Sequence, residues 1–427
     1  MKRIIAIILM AVLLLGTVTG CAESEKNSPE TGETMGETPM PKTKMEQLLS
    51  TISPEDKDYY QSIAKLCVSD LLDHFWTGDE KTGYMTPVWQ GFPTDLADER
   101  GAIWEAAEVM FNVYDLWVLT GDEIYKDYMI AEANFYKKNY ENDLEAIETA
   151  GALLNTASDD CAWTGMFLLN LYTVTGDMWF VERAINLLDD AYERWYSEDL
   201  GGGLWYKDGV DYKSLYEAGI ALDWLRIWEI TGEQRFYDLA FASYSWMHEC
   251  LGRDDGIYAC EATAAGHRGD AGSIHEGGSS SFLGGNMAMA ALSAKFYQIT
   301  GEQVYLDRVY ATNAGILEHY NNNGVLLNDR DAWTNGTFTA YYATWVLSLP
   351  DTEEMQKLLK DTAVSIVTND RTADGYYGGS WQGPASGPGS IWASGGSVAQ
   401  QTMTSGSTVA IVVGAALLEA GIKDYVR

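Results

Sequence analysis

An all-α fold, a closed ring of six helical hairpins, is predicted by three features of this 427-residue chain. The first is a phrase that recurs four times: Leu119-Thr120-Gly121-Asp122, Val174-Thr175-Gly176-Asp177, Ile230-Thr231-Gly232-Glu233 and Ile299-Thr300-Gly301-Glu302, with Thr-to-Thr intervals of 55, 56 and 69 residues. A repeat of that length holds two helices and their loops. The second is the apolar pattern of helical period on both sides of each phrase, in which Gly serves as a helix C-cap and the acid opens the next helix. The third is the alternation of these tight turns with long connections rich in Gly and aromatic residues.

In chain order the pattern places helices over 56–76, 99–119 and 122–139, 158–174 and 177–196, 212–230 and 233–251, 280–299 and 302–320, 333–348 and 351–370, and 402–420. The four phrases are the turns of αα-hairpins, and the helix after each carries an aromatic, Tyr125, Phe180, Tyr237 or Tyr305. The helix from 158 is marked by Met166-Phe167-Leu168-Leu169 with Leu171, and Ser158 or Asp159 can serve as its N-cap. The long connections are Gly78–Asp98, Asp199–Asp211, Arg253–Ser279, Asn321–Asp331 and Asp374–Gln401. Within them Gly203-Leu204-Trp205-Tyr206 and Gly256-Ile257-Tyr258 read as short hairpins. Short turns at one end and long loops at the other suggest an (α/α)6 toroid whose long loops form a mouth. An open α-solenoid that binds proteins is the alternative architecture.

Residues 1–20 read as a lipoprotein signal peptide: Lys2-Arg3, the apolar run Ile4 to Gly16, then Val18-Thr19-Gly20 before Cys21. The apolar run is too short to span a bilayer as a helix. Cys21 would be the lipid-bearing mature N-terminus and residues 21–50 a polar tether, leaving 51–427 as the (α/α)6 domain and placing it outside the cytoplasm. Membrane contact is then expected through the N-terminal lipid only, and the domain as a monomer. Removing Lys2 and Arg3 with no acid moves the net charge from −34 to −36. So acidic a chain argues against nucleic acid and anionic polysaccharide as partners and favours a neutral oligo- or polysaccharide. The 15 Trp and 26 Tyr suit stacking on sugar faces, although most of them should pack helices together. Cys67, Cys161, Cys250 and Cys260 form no CxxC pair and have no His at metal spacing, so neither a metal site nor a redox motif is expected. Cys250 and Cys260 could pair in an exported protein.

Ser158-Asp159-Asp160-Cys161-Ala162-Trp163 puts two carboxylates and an indole at the start of an apolar helix. In the ring this is an inner helix whose N-terminus opens onto the long-loop face, so both acids reach the floor of the mouth. The bland reading of such a pair is a solvated cap. The chemical reading is glycoside hydrolysis, in which adjacency favours the short carboxyl separation of retaining enzymes, about 5–5.5 Å, over the roughly 6.5–9.5 Å of inverting ones. The helix dipole would keep one Asp ionised, and its charge would raise the pKa of the other. Such a mechanism calls for no cofactor.

Asp159-Asp160-Cys161-Ala162-Trp163, the Gly201-Gly202-Gly203-Leu204-Trp205 loop, Ile103-Trp104-Glu105-Ala106-Ala107-Glu108 and the repeated turns together resemble glycoside hydrolase family 76, from about Trp104 to Leu349. That family contains endo-α-1,6-mannanases on an (α/α)6 barrel. The resemblance implies a retaining mechanism with Asp159 as nucleophile and Asp160 as general acid/base, acting on α-1,6-mannan or a related α-mannoside. Two departures fall near the cleft: Cys161 where members commonly carry Asn, and Leu283-Gly284-Gly285-Asn286-Met287 where they tend to carry Tyr-Asn-Gln-Gly. Trp163, Trp205, Tyr206, Trp104 and Trp89 are candidates to stack on sugar rings, each with packing between loop and helix as its alternative. Asp98, Asp211, Glu217 and the pair His275-Glu276 could touch substrate, though caps and surface acids look the same in sequence. The rival functions are an inverting glycosidase or other sugar-active enzyme on the same toroid, and a surface glycan-binding protein without turnover.

Overall fold

The computed structural model describes residues 43–86, 88–89, 92–93, 103–152, 155–267, 281–328, 334–385, 402–423 and 425–426. Twelve helices among these residues build the ring: α1 (Tyr59–Phe75), α2 (Ile103–Thr120), α3 (Glu123–Tyr140), α4 (Ser158–Thr175), α5 (Met178–Trp195), α6 (Glu217–Thr231), α7 (Gln234–Leu251), α8 (Leu283–Thr300), α9 (Gln303–His319), α10 (Thr339–Tyr341, continuing as a π-helix over Tyr342–Val346), α11 (Glu353–Asn369) and α12 (Thr402–Ala420).

The even-numbered helices form the inner layer. Each packs on the next, α2 on α4, α4 on α6, α6 on α8, α8 on α10, α10 on α12, and α12 returns to α2, which closes the ring and removes the open solenoid. The chain ends supply the sixth hairpin, because α1 packs on α12. Tyr425, beyond α12, donates to Asp115 on α2 while its carbonyl accepts from Trp345 Nε1 on α10 at 3.1 Å.

Sequence dictates which helices lie inside. α4 is buried almost all round, and α12, apolar and long enough to cross a bilayer, is buried along most of its length within the ring. Outer helices show one apolar stripe instead. In α5 the buried residues are Phe180, Val181, Ala184, Leu187, Leu188, Ala191 and Trp195, the spacing of a single helix face. Glycines let the inner helices approach one another. A Cβ on Gly219 would lie 2.8 Å from Ala162 Cβ, and one on Gly406 would lie 2.8 Å from the Glu108 carbonyl.

The recurring phrase is a turn with one hydrogen-bond plan. Each Thr hydroxyl donates to the carbonyl four residues back and accepts the N–H of the acid two residues on: Thr120 with Leu116 and Asp122, Thr175 with Leu171 and Asp177, Thr231 with Ile227 and Glu233, Thr300 with Phe296 and Glu302. The Gly between them takes φ of 69–73° at all four sites, the left-handed cap expected from sequence.

The opposite end carries a reversal at the end of α1, α5, α7, α9 and α11, closed by the pairs Trp76 with Met85, Tyr196 with Leu204, Gly252 with Tyr258, Asn321 with Leu326, and Arg371 with Tyr377. Asp255-Gly256, Asn323-Gly324 and Asp374-Gly375 are their turn dipeptides, with positive φ at each Gly. Two expected helices start later than predicted. Tyr212–Ser214 is a strand paired with Glu261–Thr263, so α6 begins at Glu217. The 333–348 segment is helical only from Thr339, because the Gly336 N–H donates to Ser407 Oγ and the Thr337 hydroxyl to Glu108 before the helix starts.

Candidate active site

The N-terminus of α4 holds the aspartate pair. Ala157 is the N-cap, with φ −144° and ψ 169°, not Ser158 or Asp159 as the sequence suggested. The capping acceptor sits three residues on. Asp160 Oδ2 accepts from Thr156 N (2.8 Å), Thr156 Oγ1 (2.7 Å) and Ala157 N (3.1 Å). Asp159 is held differently: Oδ1 accepts from Asp160 N at 3.0 Å and Oδ2 from the Tyr206 hydroxyl at 3.0 Å. The Tyr206 carbonyl accepts the Ser158 N–H at 2.8 Å, taking one of the donors that a helix start leaves unpaired.

Both aspartates are half-buried, and both carboxyls are raised above the ordinary aspartate range. For Asp159 burial is the larger cause and the Asp160 charge the next, with the Tyr206 hydrogen bond opposing them. For Asp160 burial is opposed by the three hydrogen bonds from Thr156 and Ala157 and by the Lys207 ammonium. Asp160 is therefore the more acidic of the two, and a single proton on the pair rests first on Asp159. One carboxylate and one carboxylic acid side by side are the groups needed to attack a carbon and protonate a leaving oxygen.

Tyr206 comes from the hairpin between α5 and α6. Its ring stacks on Tyr212, with centroids 5.2 Å apart and planes at 20°, and its N–H donates to the Tyr212 carbonyl at 3.1 Å. The three glycines ahead of it have a role that sequence did not reveal. With Leu200 at φ 60° and Gly201, Gly202 and Gly203 at 83°, 120° and 82°, the chain turns carbonyls inward onto the Lys213 ammonium. Nζ donates to the carbonyls of Ser197, Asp199 and Gly202, each at 2.6 Å, and of Gly203 at 2.9 Å. Lys213 is 0% exposed. Gly203 must also lack a side chain, since a Cβ would lie 2.5 Å from the Trp246 ring.

Several expected substrate contacts find other work. Trp163 is 3% exposed: its Nε1 donates to Glu108 and its ring packs edge-on against Phe338, so its faces are in the core and not open to a sugar. Trp205 is half-buried, with the Lys213 ammonium 4.9 Å from its ring centroid. Glu217 is buried and accepts from Leu204 N and Ser243 Oγ, which makes it a brace for the glycine loop. Trp104 is half-buried at the start of α2. Trp89 lies in a short strand paired with Phe92–Pro93, and its side chain lies outside the described residues, as do Cys21, Asp98, His275 and Glu276. Asp211 is exposed. At the two sequence departures, Cys161 is buried, and Asn286 is structural, accepting from Tyr258 N and donating to Ser281 Oγ and the Phe282 carbonyl. Cys250 is half-buried and Cys260 buried. Among the described residues no group of three or more His, Cys, Asp or Glu side chains is placed to hold a metal ion.

Glu108 is a residue that sequence reasoning underrated. It accepts from Trp163 and from the Thr337 hydroxyl, joining α2, α4 and the approach to α10 near the ring centre. The available signal was a carboxylate inside the apolar run Ala106-Ala107-Glu108-Val109-Met110-Phe111.

Comparison with solved structures returns the same architecture. An α-1,6-mannanase from Salegentibacter sp. superposes with a TM-score of 0.65 at 20% identity, covering 84% of this chain and 99% of that one. A protein from Listeria innocua gives 0.65 at 18% identity, covering 86% and 99%. A family 76 mannosidase from Bacteroides thetaiotaomicron gives 0.63 at 14%, covering 84% and 99%. No curated relative matches the sequence. The family model for glycosyl hydrolase family 76 matches residues 59–412, nearly the whole ring, and the chain belongs to that family of glycoside hydrolases.

Proposed function

We propose that this protein hydrolyses α-mannosidic bonds, in α-1,6-mannan or a related α-mannoside, with retention of configuration. The observation that carries the reading is the pair Asp159–Asp160 at the start of an inner helix, each carboxyl held by its own hydrogen bonds and both raised in pKa. Support comes from the Salegentibacter enzyme, described as an α-1,6-mannanase and studied as an inactive variant with two consecutive aspartates replaced by alanine, in complex with α-1,6-mannotetrose.

In the first step Asp159 attacks the anomeric carbon and forms a glycosyl ester, while Asp160 gives its proton to the departing glycosidic oxygen. In the second step water gives a proton to Asp160 and its oxygen to the anomeric carbon, releasing Asp159. This division of labour follows the family resemblance. The hydrogen bonds favour a second assignment, because three donors hold Asp160 as the anion and leave the proton on Asp159. Under the first assignment substrate entry moves that proton to Asp160. Under the second, Asp160 is the nucleophile.

Azide separates the two. The acid/base variant still forms the intermediate from an activated aryl α-mannoside, and azide then speeds its breakdown. Rescue of Asp160→Ala supports Asp159 as nucleophile, and rescue of Asp159→Ala reverses the roles. Proton NMR at early times should show the substrate's anomer in the first product from α-1,6-mannan. An inverted first product refutes retention, and no cleavage of any neutral α-mannoside refutes the function. Lipid anchoring through Cys21 is part of the same proposal: Cys21→Ser should move the protein out of the membrane fraction, and unchanged fractionation refutes it.

A further inference from the structure

We infer that Tyr206 is a positioning residue for Asp159, held in place by the caged Lys213, and not a stacking platform for sugar. The inference rests on the reading of Asp159 as a reacting carboxyl. Tyr206 grips the start of α4 at two points: its carbonyl accepts the Ser158 N–H at 2.8 Å and its hydroxyl donates to Asp159 Oδ2 at 3.0 Å. Two contacts from one residue fix both the first turn of the helix and the rotamer of its second side chain. Tyr206 itself has little freedom. Tyr212 lies against its ring, Tyr216 is tilted toward it at 6.0 Å, and the Lys207 ammonium lies 5.7 Å from its centroid.

The rigidity comes from the far side of the hairpin. Trp205 bridges to Lys213 and the Tyr206 N–H bonds to the Tyr212 carbonyl, so the strand carrying Tyr206 is paired to the strand that starts at Tyr212. That second strand is fixed by the sheet with Glu261–Thr263 and by the four carbonyls around Lys213 Nζ. An ammonium buried among main-chain carbonyls does here what a bound cation does elsewhere: it orders a glycine loop that has no side chains of its own to pack.

The chemical consequence concerns the charge on Asp159. A hydroxyl donor favours the carboxylate over the acid, so Tyr206 assists ionisation of a group that burial and Asp160 oppose. Asp159 feels Asp160 and Tyr206, Asp160 feels the Lys207 ammonium, Tyr206 feels Tyr212, and the Cys161 thiol beside the pair feels Asp190 and Arg194. Tyr206→Phe keeps the ring and its stacking and deletes only the donor.

The test compares the full-length protein with its Tyr206→Phe variant. On an α-mannoside substrate kcat should fall about ten- to a hundredfold, the worth of one hydrogen bond to a charged group, with KM changed less than about threefold. The limb of kcat/KM that Asp159 governs should move to higher pH, the acid limb with Asp159 as nucleophile and the alkaline limb with Asp159 as acid/base. A sugar-stacking role predicts the opposite split, with kcat and KM near wild type for Phe, and that result overturns the inference. A second measurement is independent of turnover. Carbon NMR titration of the Asp159 carboxyl should give a higher pKa in Tyr206→Phe than in wild type, and equal titration curves overturn the inference. Wild-type protein inactive on every neutral α-mannoside would sink the functional proposal instead, and the titration would still decide the role of Tyr206.

Discussion

Truncating the two aspartates should affect stability differently, because the Asp160 carboxyl takes two backbone N–H groups at the entry to α4 while the Asp159 carboxyl is raised further by burial and the neighbouring charge. Asp160→Ala removes the acceptor of three hydrogen bonds, two of them from backbone N–H groups at the entry to α4. Thr156 is exposed, so water replaces part of its loss, whereas Ala157 is buried. The expected cost at acid pH is about 1–2 kcal/mol, that of deleting a helix cap acceptor, or about 2–4 °C in Tm, and it shrinks as pH rises to about 6 because this carboxyl too is raised above its unfolded value. Asp159→Ala deletes a group whose folded pKa lies above its unfolded value. Such a carboxyl imposes no penalty where it is protonated in both states, and its penalty grows as pH rises toward and through the raised pKa. Asp159→Ala should therefore leave Tm level or raised, with the gain over wild type widening between about pH 4, near the unfolded value, and about pH 8, the folded one. Differential scanning calorimetry of the purified variants at several pH values measures both effects. Equal losses for the two variants, with no pH dependence in their difference, would show that the helix-start geometry does not separate their roles.

Three further outcomes follow from the structure. Gly406→Ala puts a Cβ 2.8 Å from the Glu108 backbone, which a closed ring cannot shift cheaply, and should cost about 1–3 kcal/mol in denaturant melts. Thr175→Val removes a hydroxyl that both donates to the Leu171 carbonyl and accepts from the Asp177 N–H, and should cost about 1 kcal/mol, with activity per folded molecule unchanged. The pH profile of kcat/KM should lie higher than that of two exposed aspartates, since both carboxyls are raised, and an acid limb at the ordinary aspartate value would contradict the burial of the pair.

The ring was legible in the sequence where local chemistry and global packing agree. Thr-Gly-acid phrases marked four turns, and the apolar run after Asp160 marked α4 as an inner helix. What stayed hidden depended on contacts distant in sequence. Gly336 and Thr337 look helical in an apolar window, yet their polar groups pair with Ser407 and Glu108, so α10 starts late. Tyr212–Ser214 looks like the front of α6 until Glu261–Thr263 is available to pair with it. The adjacent aspartates were visible as a motif, but not the inequality between them. That inequality comes from Thr156 and Ala157, whose donors lower Asp160, while Tyr206, 47 residues away, offsets only part of what burial and the Asp160 charge do to Asp159. Trp163 stays open between platform and packing in the sequence because an indole beside two acids has the same letters whether its face is open or its N–H is spent on a buried glutamate.

The position of the pair follows from the ring itself. Closing six inner helices on one another buries their whole length, so polar chemistry has room only where an inner helix begins or ends. Four of the six ends, those of α2, α4, α6 and α8, are occupied by the Thr-Gly-acid turns, which consume the local donors and acceptors. The starts receive the chain from the glycine-rich reversals, whose loops can bring a tyrosine to a carboxylate. Asp160 shows how tightly structure and chemistry are bound there. The same Oδ2 that closes the first turn of α4 belongs to a carboxyl that the proposed function uses in either role, so the group is pre-oriented by helix formation. Any substitution that frees Asp160 for better chemistry must then surrender its cap, and a cap restored at Ala157, as Ala157→Ser, should recover the stability of Asp160→Ala without recovering its turnover.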